Sequence, residues 1–468
     1  MSEKPAQLKT KLDWSAYESY GSFGSFDFGG FGESEAAAPA TGGGYAKAAA
    51  VCMGKRHCQK KDQGVMCPSF RVTDDEKHST HHRAVTLKAA LDGELGAHPF
   101  LSAELSEAME LCVSCKGCKS ECPHGVDMAL LRVEALAQRW AQLGRVPLRE
   151  RLFAFTPRYA KHLKRFNWVG ALRQRMPLLA KAMERWLGIA ARRSLPKAAA
   201  RDFISTQSQS VAVAEGAREV VLLVDTFSNH LDPQIAQAAL EVLQAAGYTV
   251  HVAQPAAGER PLCCGRTFLS SGLIDEARAE ATRLLDALAP FAERGLPVIG
   301  LEPSCLLMLR DEYHSLGLGE RVATLAKSAV LLEEFLAREH DAKRLTLPLR
   351  PLTGKVLVHG HCHQKAFGAM PAMAKVLGLV PGLQVEFIES SCCGMAGSFG
   401  MEAEHYEVAM QMGELSLLPQ VRAADADTLL IANGTSCRHQ IRDGAAREAR
   451  HLAQVLQRAI RGDSGWHD

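Results

Sequence analysis

The sequence predicts a helical, cysteine-bearing domain followed by two α/β domains that repeat each other. Seven of the 14 cysteines lie between residues 49 and 145, among segments whose apolar residues recur at helical spacing. In the second half of the chain, strand-like and helix-like segments alternate, which is typical of parallel sheets covered by helices. Motifs there recur about 130 residues apart, since Cys264 and Cys393 are separated by 129 positions and Cys305 and Cys437 by 132.

A chain of 468 residues is too long for one hydrophobic core. Its composition divides it into five segments. Residues 1–48 are rich in Gly, Ser, Ala and Phe and are expected to form a disordered arm. The other segments are a helical domain with seven cysteines at 49–145, a basic helical connector at 146–210, a first repeat at 211–345 and a second repeat at 346–461.

The bulk composition excludes several classes of protein. A net charge of +2 with 47% hydrophobic residues gives no preference for nucleic acid. No apolar run approaches the roughly 20 residues that span a bilayer, and the first residues lack the apolar core of a secretory signal. We therefore expect a cytoplasmic location, where clustered cysteines are metal or redox ligands rather than a disulfide framework.

A strongly basic stretch runs from residue 145 to residue 201. It holds 15 Lys and Arg against Glu150 and Glu184, with apolar residues at helical spacing. One interpretation is a set of amphipathic helices with a solvated basic face, packed between domains. The other is a docking face for an acidic partner, or a peripheral contact with an anionic membrane surface.

One run of four cysteines has the spacing of a bacterial ferredoxin, C-x2-C-x2-C-x3-C-P, which binds a cubane cluster. It consists of Cys112, Cys115, Cys118 and Cys122, followed by Pro123. A second run, Cys52-x5-Cys58-x8-Cys67-Pro68, precedes them. In two-cluster ferredoxins the cysteine before proline ligates the cluster of the other run. Crossing the runs in this way predicts a 4Fe-4S cluster on a complete set of thiolates, which are Cys67, Cys112, Cys115 and Cys118.

The same rule leaves the second iron–sulfur site one thiolate short, with Cys52, Cys58 and Cys122. Lys55 stands where the missing cysteine would be, and lysine is a poor iron ligand. The site is therefore either a 3Fe-4S cluster or a 4Fe-4S cluster with a ligand other than cysteine. His57 lies nearby in sequence and is interpreted as a surface histidine.

Each repeat carries its own group of cysteines. In both repeats an adjacent pair is followed by glycine, and a single cysteine comes later in the chain. The second repeat offers four thiolates, at Cys362, Cys392, Cys393 and Cys437. The first offers three, at Cys263, Cys264 and Cys305, with Ser228 aligned to Cys362 and with Asp225 and Thr226 just before it. These sites are expected to bind an iron–sulfur cluster or zinc. His359, His361, His363 and His439 are interpreted as ligands, hydrogen-bond donors or proton carriers.

No P-loop, GxGxxG or GxSxG motif is found, so neither a catalytic residue nor a flavin or nicotinamide site is predicted. Other motifs are specific: CPSF at 67–70, HSTHHRA at 78–84, LLVDTF at 222–227, CCGRTF at 263–268, GLEPSC at 300–305, HGHCHQKA at 359–366, CCGMAGSFG at 392–400 and SCRHQI at 436–441. Over roughly residues 50–460 the chain resembles the iron–sulfur region of FAD-linked 2-hydroxyacid oxidoreductases. It also resembles the iron–sulfur subunits of glycolate oxidase, of lactate utilisation and of anaerobic glycerol-3-phosphate dehydrogenase, and the cysteine-rich component of heterodisulfide reductase.

The resemblance implies an α-helical ferredoxin domain followed by two α/β cysteine-rich (CCG) repeat domains. In the long fused members an FAD-binding half precedes this region, so FAD is expected on a partner chain. The implied function is an iron–sulfur electron-transfer subunit, which is one component of an oxidoreductase. It would pass electrons from a flavoprotein that oxidises a 2-hydroxy acid (lactate, glycolate or 2-hydroxyglutarate) to a downstream acceptor.

Two departures from the heterodisulfide reductase pattern keep alternatives open. Gln440 stands where a further cysteine would follow Cys437, and the first repeat lacks its leading cysteine. The alternatives are a CCG cluster that catalyses heterodisulfide-type reduction, and a zinc-bearing scaffold without a redox role.

Overall fold

The molecule consists of a helical domain, a helical connector and two α/β units. The computed structural model describes residues 8–18, 42–61, 64–207, 216 and 218–462. The helical domain contains α1 (Gly43–Ala50), α2 (Pro68–Thr73), α3 (Thr80–Leu91), α4 (Ala103–Glu110), α5 (Gly117–Glu121) and α6 (Met128–Leu143). Short 3-10 turns lie at Ser15–Tyr17, His57–Gln59, Glu76–His78 and Pro99–Leu101.

Polar side chains define where the main helices of this domain begin. Ser79 caps α3 by accepting a hydrogen bond from the backbone N–H of His82, and Asp127 caps α6 through the N–H of Leu130. Helix α6 ends at Gly144, whose positive φ of 69° closes a helix without the strain that a side chain would bring. These caps fix the loops from which the cysteines project.

The expectation of a disordered arm over residues 1–48 is wrong for its described parts, 8–18 and 42–48. Leu12, Trp14 and Tyr45 are buried. Glu134 of α6 accepts hydrogen bonds from the backbone N–H of Leu12 at 2.8 Å and from Trp14 Nε1 at 3.3 Å. A buried carboxylate needs such donors, and three large apolar side chains supply the buried area that average composition conceals. The Phe-rich residues 19–41 lie outside the described part of the chain.

The connector is helical, as its apolar spacing predicts. It contains α7 (Leu148–Ala154), α8 (Thr156–Leu163), a 3-10 turn (Lys164–Phe166), α9 (Asn167–Arg175) and α10 (Pro177–Leu187). A non-helical stretch follows and runs back over the α/β units. Arg173 of α9 and Arg193 of this stretch are buried, and Arg193 Nε donates to Gly400 O at 2.7 Å.

The first α/β unit spans residues 218–341. Its elements are β1 (Arg218–Leu223), α11 (Thr226–His230), α12 (Pro233–Ala245), β2 (Tyr248–Val252), α13 (Arg266–Ser270), α14 (Ile274–Glu293), β3 (Val298–Gly300), α15 (Pro303–Arg310), α16 (Arg321–Ser328), β4 (Ala329–Leu331) and α17 (Leu332–Asp341). The strands are parallel in the order β2-β1-β3-β4. Residues of β1 and β3 are buried, as the apolar run in this sequence predicts.

The second α/β unit spans residues 354–461. It contains β5 (Gly354–Val358), α18 (Cys362–Ala366), α19 (Met370–Gly378), β6 (Leu383–Phe387), α20 (Tyr406–Glu414), α21 (Leu417–Ala423), β7 (Leu429–Ile431), α22 (Thr435–Ala445), β8 (Ala449–Arg450) and α23 (Leu452–Arg461). Its strands are also all parallel, and their order, β6-β5-β7-β8, repeats that of the first sheet. The chain winds outward in opposite directions from β1 and β3 in the first sheet, and from β5 and β7 in the second. Open parallel sheets place their binding sites at such a point.

The two sheets share one apolar core. Helix α12 of the first unit packs along α23 of the second, and one group of buried side chains contains Val220 of β1 and Val356 of β5. The prediction of a helical domain followed by α/β structure is therefore confirmed. Among the described helices, none combines the length and the apolar content that a bilayer crossing requires.

Candidate metal centres

The four cysteines of the predicted cubane set lie around one cavity. Cys67 precedes α2, Cys112 and Cys115 lie in the loop between α4 and α5, and Cys118 is in α5. All four side chains line it. The structure therefore brings together the set that the crossed runs predict, although the two runs are 45 residues apart between Cys67 and Cys112.

Arg83 gives this cavity a buried positive charge. Its Nη1 lies 3.3 Å from Cys67 Sγ, and its Nε donates to Ala108 O at 2.7 Å. Burial acts to raise the pKa of the Cys67 thiol, but attraction to Arg83 and hydrogen bonds from Ser69, Arg83 and Thr80 lower it overall. The site thus favours a thiolate at Cys67, the form that binds metal. The sequence analysis missed Arg83, which lies inside the HSTHHRA motif.

The three cysteines of the second site also share a cavity. Cys52, Cys58 and Cys122 all line it. Met66 and Thr80 line both this cavity and the first, so the two are neighbours.

A histidine that the sequence analysis did not single out reaches the same cavity. His81 Nδ1 lies 3.5 Å from Cys52 Sγ, and the backbone N–H of His81 donates to Cys58 Sγ at 3.4 Å. His57 and His124 line the cavity too. The only sequence signal for His81 was its place in the HSTHHRA motif.

The four cysteines of the second α/β unit are buried together at the carboxyl ends of its strands. Cys362 begins α18, the Cys392–Cys393 pair precedes Gly394, and Cys437 lies in the first turn of α22. Their side chains are neighbours in the series Cys362, Cys392, Cys393 and Cys437. Ligand atoms of His359, Cys393 and Cys437 lie within 4.8 Å of one another.

Charge is distributed unevenly in this group. Burial opposes protonation of His361, but the neighbouring Cys362 thiolate and Glu302 raise the pKa of His361 to about 9. The hydrogen bond from Cys392 is the largest of several effects that hold the pKa of Cys362 well below its usual range. His363 is buried and its pKa falls to about 4. The pKa values of the Cys362 thiol and of the His361 imidazole are thus both shifted toward the charged form.

Gln440 replaces a further cysteine without leaving space. Its side chain is fully buried, and its Nε2 donates to Ala409 O of α20 at 3.1 Å. An amide held by α20 therefore occupies the position where the heterodisulfide reductase pattern has a second thiolate.

In the first α/β unit Cys263, Cys264 and Cys305 are buried, and the side chain of Cys264 lies beside both of the others. The structural counterpart of Cys362, the first residue of α18, is Thr226, the first residue of α11. The alignment with Ser228 is therefore wrong by two positions. The side chain of Thr226 hydrogen bonds to Cys263, whereas Ser228 hydrogen bonds to Asp225. The reason is that Asp225 caps α11 two residues earlier than that alignment requires.

The glycine after each cysteine pair has the same role in both units. Gly265 and Gly394 have φ values of +89° and +90°, and each N–H donates to the Sγ of the cysteine two residues before it at 3.4 Å. A Cβ at these positions would lie 2.8 Å from Ala277 O and 2.0 Å from Ala409 O, respectively. Only glycine lets the backbone adopt this conformation so close to a helix.

The two kinds of domain meet at their cysteines. Among charged groups, Cys362 has the largest effect on the pKa of Cys115, which burial and this neighbour raise well above its usual range. His363 Nε2 lies 3.1 Å from Ser114 O, next to Cys115. The first cavity of the helical domain therefore directly adjoins the cysteine group of the second α/β unit.

Comparison with known proteins gives these cysteine groups a family context. Residues 51–127 match the family described as a 4Fe-4S dicluster domain, and residues 356–442 match the family described as a cysteine-rich domain. The chain is therefore similar to a 4Fe-4S dicluster domain in its first part and to a cysteine-rich domain in its last part. The dicluster match covers all seven cysteines of the helical domain, and the cysteine-rich match covers the four of the second α/β unit.

Three relatives carry the predicted resemblance. D-2-hydroxyglutarate dehydrogenase of Escherichia coli K12 is 26% identical over 466 residues, which cover 89% of this chain and 44% of that protein. One subunit of the anaerobic glycerol-3-phosphate dehydrogenase of the same organism is 29% identical over 271 residues, which cover 58% of this chain and 66% of that protein. Lactate utilization protein A of an Exiguobacterium species is 25% identical over 254 residues, which cover 52% of this chain and 98% of that protein.

These similarities confirm the predicted resemblance. The chain spans less than half the length of the dehydrogenase that it matches over most of its own length. The dicluster family also fits the donor set, because two cavities lined by four and by three cysteines have the sulfur ligands that iron–sulfur clusters use.

Proposed function

We propose that this chain is the iron–sulfur electron-transfer component of an FAD-dependent oxidoreductase. It would receive electrons from a flavoprotein that oxidises a 2-hydroxy acid and pass them to a downstream acceptor. The observation that carries the proposal is the continuity of the cysteine sites. Met66 and Thr80 form a shared wall between the two cavities of the dicluster domain, and Cys115 adjoins Cys362 of the cysteine-rich domain.

In this proposal Cys67, Cys112, Cys115 and Cys118 hold a 4Fe-4S cluster, and Cys52, Cys58 and Cys122 hold a second 4Fe-4S or 3Fe-4S cluster. When bound, such clusters take up and release single electrons at potentials set by ligand identity, burial and hydrogen bonds to sulfur. The chain supplies those controls: Arg83 places a buried positive charge beside Cys67, and low exposure at Cys115 and Cys118 keeps water away.

The third and fourth sites belong to the α/β units. Cys362, Cys392, Cys393 and Cys437 offer four thiolates, which fit an iron–sulfur cluster or zinc. Cys263, Cys264 and Cys305 offer three, and Thr226 supplies an oxygen beside them. We interpret the first unit as a second copy of the cysteine-rich domain, supported by its identical strand order and by the matching conformations of Gly265 and Gly394.

The flavoprotein partner is proposed from the relatives. One is named as part of a dehydrogenase assembly, and another is a dehydrogenase of which the matched part is less than half. A chain that lacks an evident flavin site needs such a partner to collect two electrons from an organic substrate. The substrate class proposed is lactate, glycolate or 2-hydroxyglutarate.

The test is metal analysis with EPR on anaerobically purified protein. About eight irons or more, with matching acid-labile sulfide and signals that change on reduction with dithionite, would support the relay. Cys115→Ser should remove one cubane signal and stop electron flow from the flavoprotein, whereas Cys393→Ser should alter only the metal of the second α/β unit. Full electron transfer in Cys115→Ser would contradict the assignment. Zinc without sulfide in the α/β units would instead make them a scaffold.

We also propose that α9 and α10 make the peripheral membrane contact suggested by the basic stretch. Trp168, Leu178 and Trp186 are 63%, 80% and 81% exposed, far more than apolar side chains of this size usually are. Tryptophan and leucine beside Lys and Arg are typical of helices that lie in the interface of an anionic bilayer. The connector also has exposed cations that form no ion pair with a described acidic residue; they are Lys161 of α8, Lys164 and Arg165 of the 3-10 turn, Arg175 of α9, and Lys181 and Arg185 of α10.

Vesicle flotation tests this contact with the full chain. Binding is expected to vesicles that contain phosphatidylglycerol and not to phosphatidylcholine alone, and it should weaken with salt. The variant Leu178→Gln/Trp186→Ser should lose binding, whereas Val85→Ser, an exposed apolar position on α3, should not. Unchanged flotation of the first variant would contradict the proposal.

A further inference from the structure

The second cavity of the dicluster domain has three cysteines and several nitrogen side chains. Cys52, Cys58 and Cys122 account for three ligands of a cubane that needs four. Lys55 stands at the missing position, but its side chain is exposed and its ammonium has no lone pair to give to iron. The fourth ligand, if the chain provides one, must come from elsewhere in the wall of the cavity.

His81 is the histidine that makes direct contact with the sulfur ligands. Its Nδ1 lies 3.5 Å from Cys52 Sγ, and its backbone N–H donates to Cys58 Sγ at 3.4 Å. Two other histidines line the cavity, His57 and His124, but neither contacts a cysteine sulfur in the described part of the chain. His124 Nε2 is buried there without a described hydrogen-bond partner, so His124 is the natural comparison.

The fold holds His81 in place. It is the second residue of α3, directly after the capping residue Ser79 and Thr80. Gly54, in the loop between Cys52 and Cys58, has a φ of +70°, and a Cβ there would lie 3.5 Å from His81 Cε1. The loop of the first two cysteines thus packs directly on the imidazole ring. Arg56 and Glu76 join this loop to the turn before α3 by an ion pair of 2.9 Å.

We propose that His81 is the fourth ligand of the Cys52/Cys58/Cys122 site, which is then a 4Fe-4S cluster held by three cysteines and one histidine. The inference rests on the proposed function, because it requires an iron–sulfur cluster at this site. Imidazole is a nitrogen ligand that iron accepts in proteins. Ligation by His81 also selects the 4Fe-4S cluster over the 3Fe-4S cluster, the two forms that the sequence leaves open, since a non-cysteine ligand retains the fourth iron.

The proposed ligand set has a consequence for the relay. A neutral imidazole replaces a thiolate, so the cluster carries one negative charge fewer than an all-cysteine cubane. Reduction adds a negative charge, and it is therefore easier at a three-cysteine, one-histidine cluster, as replacement of cysteine by histidine raises the potential of Rieske centres. The second cluster should thus have a higher reduction potential than the same site with four cysteines.

Pulsed EPR of the reduced full-length protein tests the ligand directly. The wild-type protein should show hyperfine coupling from a nitrogen bound to iron, and ¹⁵N-labelled histidine should change that coupling. His81→Ala should lose the coupling and form the oxidised 3Fe-4S signal. His81→Cys should lose the coupling, keep four irons at the site and titrate at a lower potential. His124→Ala and His57→Ala are matched controls from the same cavity and should retain the wild-type spectrum.

The outcomes separate this inference from the proposed function. Loss of the nitrogen coupling in His124→Ala but not in His81→Ala would assign the ligand to His124 and overturn the proposal. A wild-type 3Fe-4S signal without nitrogen coupling would overturn it as well, while leaving the relay intact. Zinc or no metal at the Cys52 site, with a normal first cluster, would instead refute the proposed function of this site.

Discussion

Arg83 is a fully buried cation whose guanidinium faces the first cysteine cavity, with Nη1 3.3 Å from Cys67 Sγ. Arg83→Met should lower the reduction potential of the cluster proposed there, because a positive donor stabilises the added electron. A charge-assisted hydrogen bond contributes about 2 kcal/mol, which corresponds to roughly 90 mV for one electron. A redox titration followed by EPR measures the shift. Arg56→Met, an exposed cation beside the other cavity, should leave this potential unchanged; an equal shift in both variants would contradict the assignment.

Glu333 of α17 is a buried carboxylate at the contact between the two α/β units. It accepts hydrogen bonds from Gln364 of α18 and, at 3.3 Å, from Asn433 Nδ2. Burial outweighs these bonds and raises the pKa of Glu333 from its ordinary 4.5 to about 7. The contribution to stability is therefore fully present below pH 4.5 and lost as pH rises through about 7. The total change is about 3 kcal/mol.

Glu333→Gln should remove this dependence, because the amide resembles the protonated carboxyl. The melting temperature of the wild-type protein should fall between about pH 5 and pH 7 more than that of the variant. Glu386→Gln, an exposed carboxylate on β6, is the control and should follow the wild type. Parallel curves for Glu333→Gln and the wild type would show that Glu333 has the same protonation in the folded and unfolded protein.

The residues of a site could be predicted from the sequence where their spacing alone is enough to group them. The crossed-run rule grouped Cys67 with Cys112, Cys115 and Cys118, and the structure places these four around one cavity. Arg83 and His81 could not be assigned in the same way, because their roles depend on how α3 packs over loops that are distant in sequence. A single histidine or arginine has no spacing rule of its own.

At the scale of elements, the loop after each cysteine pair depends on its glycine. Gly394→Ala should destabilise the second α/β unit by roughly 3 kcal/mol or more, since left-handed backbone strain adds to a clash with α20. The added Cβ would lie 2.0 Å from Ala409 O. Gly397→Ala is a matched control in the same loop, with a φ of +69° and no atom within 4 Å of the added Cβ. It should cost only about 1 kcal/mol.

Denaturant unfolding and metal content together check this pair of variants. Gly394→Ala should lower both the unfolding midpoint and the metal bound by the second α/β unit, because the N–H of Gly394 also donates to Cys392. Similar losses for the two glycines would mean that strain alone, and not the approach to α20, requires glycine.

Element types were predicted better than element registers. The apolar runs of β1 and β5 and the helical spacing of α12 led to the correct alternation of strands and helices. The counterpart of Cys362 was placed at Ser228, two residues after Thr226, because Asp225 caps α11 and cap position depends on backbone geometry. The order of the strands was not predictable from one sequence, since it depends on contacts between distant segments.

At the scale of the whole molecule, one buried lysine joins the helical domain to the first α/β unit. Lys116 Nζ lies 2.9 Å from Asp127 Oδ2, 2.8 Å from Asp311 Oδ2 and 3.2 Å from Glu312 Oε1. Asp127 caps α6 of the helical domain, whereas Asp311 and Glu312 follow α15. Burial alone would raise the pKa of Glu312, but Lys116 and Arg266 lower it to about 2. Lys116 is therefore paired with a carboxylate of its own domain and with two carboxylates of the first α/β unit, so the ionic contact spans the boundary between them.

Lys116→Met should remove these three ion pairs while keeping a side chain of similar length. Removal of one partner from a buried ionic group costs about 3–5 kcal/mol, because it leaves uncompensated charges behind. The expected results are a lower melting temperature and faster proteolysis of the connector between residues 145 and 201. Lys375→Met, which removes an exposed ion pair of 2.6 Å with Asp341, should cost at most about 1 kcal/mol.

Additional removal of one acidic partner should partly rescue this variant. Lys116→Met/Asp311→Asn leaves one buried negative charge fewer and keeps the pair of Arg266 with Glu312, so its melting temperature should exceed that of Lys116→Met alone. If the double variant is no more stable than the single one, Lys116 acts by packing rather than by charge. If Lys116→Met melts like the wild type, the helical domain is held to the α/β units by apolar contacts and by His363 on Ser114 instead. In that case the close approach of Cys115 to Cys362 would not depend on the ionic contact.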